Sequence, residues 1–466
     1  MNRVYRFDAN EVTNIKLVWS SNDLLEDIEK CKNNNNNNNG DNNINENDGN
    51  DENSGGVVTF NPEFSHKIFK EEQIMGYEPL TLNIYMGAGS LTTYIDTNYT
   101  IQSKNITNVE RQLLKVMSKS DPPKSTLDSF KDYIEEKEIS FKPPGELIYE
   151  FSRVDRETGE ERHFEIYFGK IIDPNILRYH EKLQLFVLWY IEGGSYIFTE
   201  DSNWDIFMMF EKKMIDSTKR YGIVGYTTIY NFYHHPSTNR SRISQFHTDS
   251  FFIISKLQTL SQFLVLPPYQ RMGLGKRLLN SLYDYYKSHS SVYGPVYDIT
   301  VEDPGEYFIL LRNSVDLENV VKSGLLKEIS AEFDLSQNHK ALFEKIRKEL
   351  LITPVQSKTV LEIYLLSKLM NRPANDPLYK RYRIFIKKRL YKQFFGSEEE
   401  AAAAGNTDKE AADTPERKKE MEDGKKKVII DFYEQLENDY TQTINANPLL
   451  STAAAAAAST VTAGNK

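Results

Sequence analysis

An apolar strand, Phe263-Leu-Val-Leu266, runs into Gln270-Arg-Met-Gly-Leu-Gly275, and a helical pattern opens at Lys276. Glycines at 273 and 275 let backbone N–H groups approach a bound anion and take up positive φ where a turn demands it. The helix adds its unpaired N–H groups and positive dipole end, so the spacing suits a diphosphate. Two other phosphate patterns fail here. A dinucleotide fingerprint needs a small residue where Leu278 stands, and a P-loop needs Ser or Thr where Arg277 stands. A ligand-free strand–helix connection is the alternative. The flanking strand and the amphipathic Leu278, Leu279, Leu282 and Tyr286 weigh against it.

The second chemical element is Val296-Tyr-Asp-Ile-Thr-Val-Glu-Asp-Pro304, which alternates as a strand and ends in two carboxylates. Pro304 cannot donate to a ladder, so the strand should stop there. Acyl transfer to an amine needs a neutral nucleophile, whereas a lysine amine is mostly protonated near neutral pH. A partly desolvated carboxylate beside the reacting bond can take that proton. Glu302 is the candidate base. A plain polar strand terminus would look the same, and what favours the base is its place one helix after the glycine loop.

The elements that must position these residues fit a large folded protein. The chain has 466 residues, enough for two or three domains, with 39% apolar and 12% aromatic content to fill a core. No run of eighteen apolar residues exists, so no membrane-spanning helix is expected, and Met1 to Asn10 lacks the apolar region of a secretory signal. The single cysteine, Cys31, abuts an asparagine run; it supports neither a disulfide framework nor a zinc site and makes a poor nucleophile. A net charge of −10 argues against nucleic-acid binding and suits a basic partner, although solubility alone would also explain it.

Residues 32–56, mostly Asn, Asp, Gly and Glu, read as a disordered insertion. Strands are expected over Glu11 to Trp19, Leu80 to Tyr85, Phe164 to Phe168 and Gly222 to Tyr230, with a turn at Met86 to Ser90. A long helix is expected over Tyr179 to Ile197, interrupted by Gly193-Gly194. Beyond 320 the periodicity is helical: Lys340 to Leu351, Val360 to Met370 and a basic Tyr379 to Phe395. The organisation predicted is an N-terminal domain over 1–145, a catalytic domain over 146–320 and helices over 321–395. A charged linker over 396–427, a short helix over 428–442 and a disordered tail over 443–466 complete it.

Widely spaced signatures then become specific. They are Phe60-Asn-Pro-Glu-Phe-Ser-His66, Gly76-Tyr77, Ala88-Gly-Ser-Leu91, Phe141-Lys-Pro-Pro-Gly145, Tyr179-His-Glu-Lys-Leu-Gln184, Trp189-Tyr-Ile-Glu192 and Val224 to Tyr233, with the glycine loop and Glu302-Asp-Pro304. With these the chain resembles the catalytic subunits of type B histone acetyltransferases, within the Gcn5-related N-acetyltransferase (GNAT) superfamily. The resemblance covers about residues 11 to 395, and weakly 428–442. It implies a mixed α/β (α+β) GNAT domain between an N-terminal α/β domain and C-terminal helices.

It also implies roles. Main-chain groups of Phe263, Leu264 and Val265 would bind the pantetheine arm of acetyl-CoA, the co-substrate. Gln270, Arg271, Met272, Gly273, Leu274, Gly275 and Lys276 would hold its pyrophosphate, and Glu302 would be the general base. Glu71 and Glu72 would touch the histone tail, and Trp204, Tyr230, Asn231 and Phe232 would line the lysine channel. Without the family, Trp204 and Phe232 would pass for core aromatics, and Glu71 and Glu72 for a solvated pair. No metal is implied. The partners implied are histone H4 with H3 and a WD40-repeat histone-binding subunit, in nucleus and cytoplasm. His180 reads as a packed structural histidine, and His234-His235, read as loop residues, make a weak case for a metal.

Three features depart from the family pattern. Ser-Gln-Phe occurs at both 244–246 and 261–263, so His247 to Leu260 reads as an extra segment. Ser290 to Pro295 lengthens a connection, and Gly305 replaces a polar residue that often helps bind coenzyme A. Two rivals stay open: an acetyltransferase for small amines or protein N-termini, and a non-catalytic histone-binding scaffold.

Overall fold

The computed structural model describes residues 5–37, 57–104, 106–155, 158–234, 238–244, 262–289, 296–302, 304–396 and 415–450. They form two compact units that part between Gly305 and Glu306. A cut at the predicted 320/321 boundary would fall inside a helix, Glu306–Ser323.

The first unit opens with β1 (Arg6–Asp8), a short helix α1 (Ala9–Val12) and β2 (Thr13–Val18), so part of the strand expected from Glu11 is helical. The Asp8 carboxylate caps that helix through the Asn10 N–H at 2.8 Å, a local bond that competes with extended backbone. Helix α2 (Ser21–Asn37) follows. Its backbone is helical through five residues of the asparagine run, which corrects the start of the predicted disordered insertion; residues 38–56 lie outside the described ones. Cys31 sits on this helix, half-buried against Lys16 and Asp27 rather than at a frayed end.

With β3 (Val58–Phe60), β4 (Gln73–Met75), β5 (Tyr77–Gly87) and β6 (Thr93–Gln102), a four-stranded sheet of order β3-β2-β5-β6 forms, while β1 pairs with β4. Helices α3 (Val109–Val116) and α4 (Leu127–Glu136) complete this half. The turn after β5 is locked from outside. Buried Glu138 accepts the N–H groups of Gly89 at 2.5 Å and Ser90 at 3.0 Å, and burial raises its pKa.

The second half is a seven-stranded sheet. Its strands are β7 (Glu146–Val154), β8 (Glu161–Lys170), β9 (Trp204–Ile215), β10 (Thr218–His234), β11 (Thr238–Ser244), β12 (Phe263–Val265) and β13 (Val296–Glu302). The order is β13-β11-β10-β9-β8-β7, with β12 paired to β10. Helix α5 (Pro174–Tyr190) packs Tyr179 on Phe210, and α6 (Leu274–Ser288) packs Tyr285 and Tyr286 on Phe207. Phe207 and Phe210 are three apart on β9 and so point to opposite faces; the helices sandwich the sheet.

Helix α5 starts five residues before the predicted Tyr179 and ends seven before Ile197. Asp173 caps it through Asn175 N and Ile176 N, and Pro174 stands at its first position, a start signal the sequence reading passed over. Gly193 (φ +67°) and Gly194 follow the helix rather than interrupt it. A Cβ at 194 would meet the carbonyls of Val187 and Ile191 at 2.8 Å.

Strands β11 and β12 lie end to end along β10. Tyr230 faces Arg242, and Thr227 faces Phe263. Between them Thr228 donates its N–H to Gln262 O and receives the Gln262 N–H on Oγ1, both at 2.9 Å. The chain therefore leaves the strand line after Ser244 and rejoins it at Gln262, and the repeated Ser-Gln-Phe marks the two ends. Extra residues between two segments held by one partner strand add closure entropy that grows only slowly with length. Deleting residues 245–261 should leave the melting temperature unchanged or raised, measured by circular dichroism. Loss of cooperative unfolding would show that the segment belongs to the fold.

The second unit is helical: Glu306–Ser323, Lys340–Leu350, Pro354–Leu369, Pro377–Phe395 and Pro415–Asn445. Its last helix begins thirteen residues before the predicted Val428, inside the expected linker. The expected tail is packed as far as Ile444, Asn447 and Leu450, all buried. Buried Glu362 accepts from Arg389 at 2.9 Å and Tyr440 at 3.0 Å, while Lys387 and Arg383 lie over the Tyr433 ring. Part of the basic face of Pro377–Phe395 is thus consumed by packing.

Candidate functional site

The glycine loop hangs between β12 and α6. Gly225 on β10 lets β12 approach: a Cβ there would meet Leu264 O at 2.3 Å and Val265 Cα at 2.9 Å. Among the described residues β12 pairs with β10 alone, so no strand runs along its other edge, where an extended amide-bearing ligand could add. Gln270 turns back to donate Nε2–H to Val265 O at 3.0 Å. Arg271 is exposed with φ +60°, and Gly273 (φ +73°) stands at the N-cap of α6 with no side chain capping the helix. Buried Leu274, Leu278 and Leu279 anchor the first turns. The loop predicted to hold a diphosphate thus leads directly into a helix start that carries no side-chain cap.

The loop is held from below by a pair the sequence reading missed. Glu211 on β9, 1% exposed at its side chain, accepts from Arg162 Nε on β8 at 2.7 Å and from Tyr269 OH at 3.1 Å. Arg162 also reaches Met272 Sδ at 3.6 Å and lies over the Tyr269 ring. A signal was present: Trp204-Asp-Ile-Phe-Met-Met-Phe-Glu211 carries two carboxylates, Asp205 and Glu211, on one face of an otherwise apolar strand.

Strand β13 runs parallel to β11, and Glu302 pairs with Ser244, where β11 gives way to β12. The backbone thus brings the candidate base to the start of the strand expected to bind the co-substrate. The Glu302 side chain and Asp303 lie outside the described residues.

Trp204 and Tyr230 face each other across β9 and β10, rings edge-on at 5.0 Å, with Tyr230 OH on Asp201 at 2.7 Å. Asn231 donates Nδ2–H to Asp205 at 2.7 Å, and Tyr286 OH donates to the same oxygen at 2.9 Å. Burial pushes the Asp205 pKa up to about 6 against those hydrogen bonds. Phe232 pairs with Arg240 by backbone; its side chain lies outside the described residues, as do those of His234 and His235. His234 is the last residue of β10 rather than a loop residue. Among the described residues no group of His, Cys, Asp and Glu could hold a metal.

Glu71 and Glu72 part company. Glu71 is exposed beside Lys70, whereas Glu72 Oε1 accepts Ser65 N at 2.7 Å and His66 N at 3.2 Å, bonds that lower its pKa. Both residues have φ +55°, so the pair is held in a tight bend. Of the two, Glu71 has its carboxylate turned to solvent.

His180 is fully buried, and burial pushes its pKa down to about 3. The imidazole is neutral in the folded protein but titrates near 6.5 when unfolded, so the unfolded chain binds more protons between those values. Stability then falls as pH drops below about 6.5. The stability difference between wild type and His180→Gln should shift against wild type by about 1.4 kcal/mol per pH unit between pH 6 and 4. Urea titrations across that range with a constant difference would refute it.

Comparison with known proteins decides the family. Residues 5–192 match the family described as histone acetyl transferase HAT1 N-terminus, and residues 206–297 match the acetyltransferase (GNAT) family. Two Dictyostelium discoideum proteins named histone acetyltransferase type B catalytic subunit are 54% and 56% identical to this chain, each over 85% of it and over 78% and 79% of themselves. A Homo sapiens protein of that name is 30% identical, over 72% of this chain and 75% of its own. The chain belongs to the type B histone acetyltransferase catalytic-subunit family.

The fold agrees with the resemblance drawn from sequence: a GNAT domain with an N-terminal sheet and C-terminal helices. The protein is an acyltransferase of a family that uses acetyl-CoA. Backbone approaches closely at Gly225, where β10 receives β12, and α6 starts at Gly273 without a side-chain cap.

Proposed function

We propose that this enzyme transfers acetyl from acetyl-CoA to lysine side chains in the N-terminal tail of newly synthesised histone H4. The observation that carries the reading is the pairing of Glu302 with Ser244, which sets a carboxylate-bearing strand end beside β12. In the reaction Glu302 takes a proton from the lysine ammonium. The free amine adds to the thioester carbon to give a tetrahedral oxyanion; its collapse breaks C–S, and the proton lost from the newly bonded nitrogen goes to the departing coenzyme A thiolate. Backbone N–H groups stabilise the oxyanion between these steps. No covalent enzyme intermediate is invoked, since the only cysteine, Cys31, packs on α2. The names of the relatives support a histone substrate, and the acidic chain suits a basic tail. Histone H3 carried with H4 and a WD40-repeat subunit are the proposed partners, and nucleus and cytoplasm the proposed compartments.

Acetyl-CoA consumption with an H4 tail peptide, with a polyamine and with no acceptor tests the substrate. Turnover with the peptide is expected, and preference for the polyamine would favour a small-amine enzyme. Glu71→Gln should raise the KM for the peptide at low salt with little change in kcat, and the deficit should shrink as salt rises. Glu71 is the cleaner probe, because Glu72 also holds the Ser65–His66 backbone. An unchanged KM at low salt would remove Glu71 from the tail's path.

A further inference from the structure

We propose that Arg153, on the edge strand β7 and outside the glycine loop, contacts the diphosphate of acetyl-CoA and raises affinity for it. The inference rests on the reading of that loop as the acetyl-CoA site. Three observations carry it. First, a Cβ built on Gly273 would meet a single neighbour within 4 Å, the Arg153 Nη1 at 3.2 Å. The guanidinium therefore stands at the glycine that leaves space for the phosphates. Second, Arg153 pairs directly with Arg162 across β7 and β8. Like charges facing each other across strands are unfavourable unless something compensates them. Arg162 is compensated by Glu211 and Asp155 at 2.7 and 3.7 Å. For Arg153 no ion pair with a carboxylate occurs among the described residues.

Third, the same strand carries the loop's other neighbours. Tyr149, Phe151 and Arg153 alternate onto one face of β7, and Arg277 of α6 lies over the Phe151 ring at 5.5 Å and reaches Tyr149 OH at 3.5 Å. Arg153 and Arg277 thus flank the start of α6 with nothing anionic between them in these contacts. An arginine held against another arginine, at a glycine that opens space for an anion, is positioned for a phosphate oxygen. Its planar fork suits that contact better than an ammonium.

Calorimetry on the full chain tests this with acetyl-CoA and with 3′-dephospho-acetyl-CoA, which keeps the diphosphate. Arg153→Gln is expected to weaken both ligands by about ten-fold, with Arg153→Lys in between. The loss should fall on the KM for acetyl-CoA rather than on kcat. Circular dichroism melting separates a binding effect from misfolding. Unchanged affinity in Arg153→Gln, while Gly273→Val still weakens binding by about two orders of magnitude, would overturn the role of Arg153 and leave the site standing. A loss seen with acetyl-CoA but absent with the dephospho ligand would overturn the diphosphate assignment and move the contact to the 3′-phosphate. Failure of wild type to bind acetyl-CoA at all would overturn the underlying reading, and Arg153 with it.

Discussion

Glu302→Gln is expected to lower kcat by two or more orders of magnitude while acetyl-CoA affinity stays close to wild type. The argument is positional. β13 ends at Glu302 opposite Ser244, and the strand line that Ser244 leaves is resumed by Gln262 and β12. A carboxamide there keeps the shape and loses the ability to accept a proton, so the deficit should appear in the chemical step. The acidic limb of the pH–rate profile, which reports protonation of the base, should also disappear. Steady-state kinetics from pH 5.5 to 9 provides the check. Near-wild-type turnover across that range would dismiss Glu302 and direct attention to its neighbour Asp303.

Gly273→Val should cost at least as much, but in binding. The residue has φ +73° and ψ 12°, a region that β-branched residues avoid, and it begins α6. Valine would strain the turn by roughly 1–3 kcal/mol and fill the space in front of the helix N–H groups. Acetyl-CoA affinity should fall by about two orders of magnitude. The fold should persist, because Gly273 is exposed and the core of α6 begins at Leu274. Gly273→Ala should lie between the two. An unchanged dissociation constant in Gly273→Val would exclude this loop as the diphosphate site.

Local patterns were legible where one element carries its own signal. The strand–glycine–helix run from Phe263, the strand ending at Glu302 and the alternation at Leu80 to Tyr85 all stand where the sequence puts them. Errors fell at boundaries. Apolar periodicity alone starts α5 at Tyr179, whereas the Asp173-Pro174 cap starts it five residues earlier. The last helix runs further back than its apolar periodicity shows, because Lys- and Glu-rich residues on an exposed helix share the composition of a linker.

What the sequence by itself determined is the pattern of single segments: a strand–glycine–helix run, a carboxylate at a strand end, and a family. Such signals lie within a few residues, where spacing along the chain equals spacing in space. What only the tertiary structure decided are meetings between distant residues. Arg162 and Glu211 under Met272, Arg153 beside Gly273, and Glu72 bound to the Ser65–His66 backbone all depend on strand pairing and on bends of positive φ. Register across a sheet sets these contacts, and register follows from packing of the whole unit rather than from any one stretch of sequence.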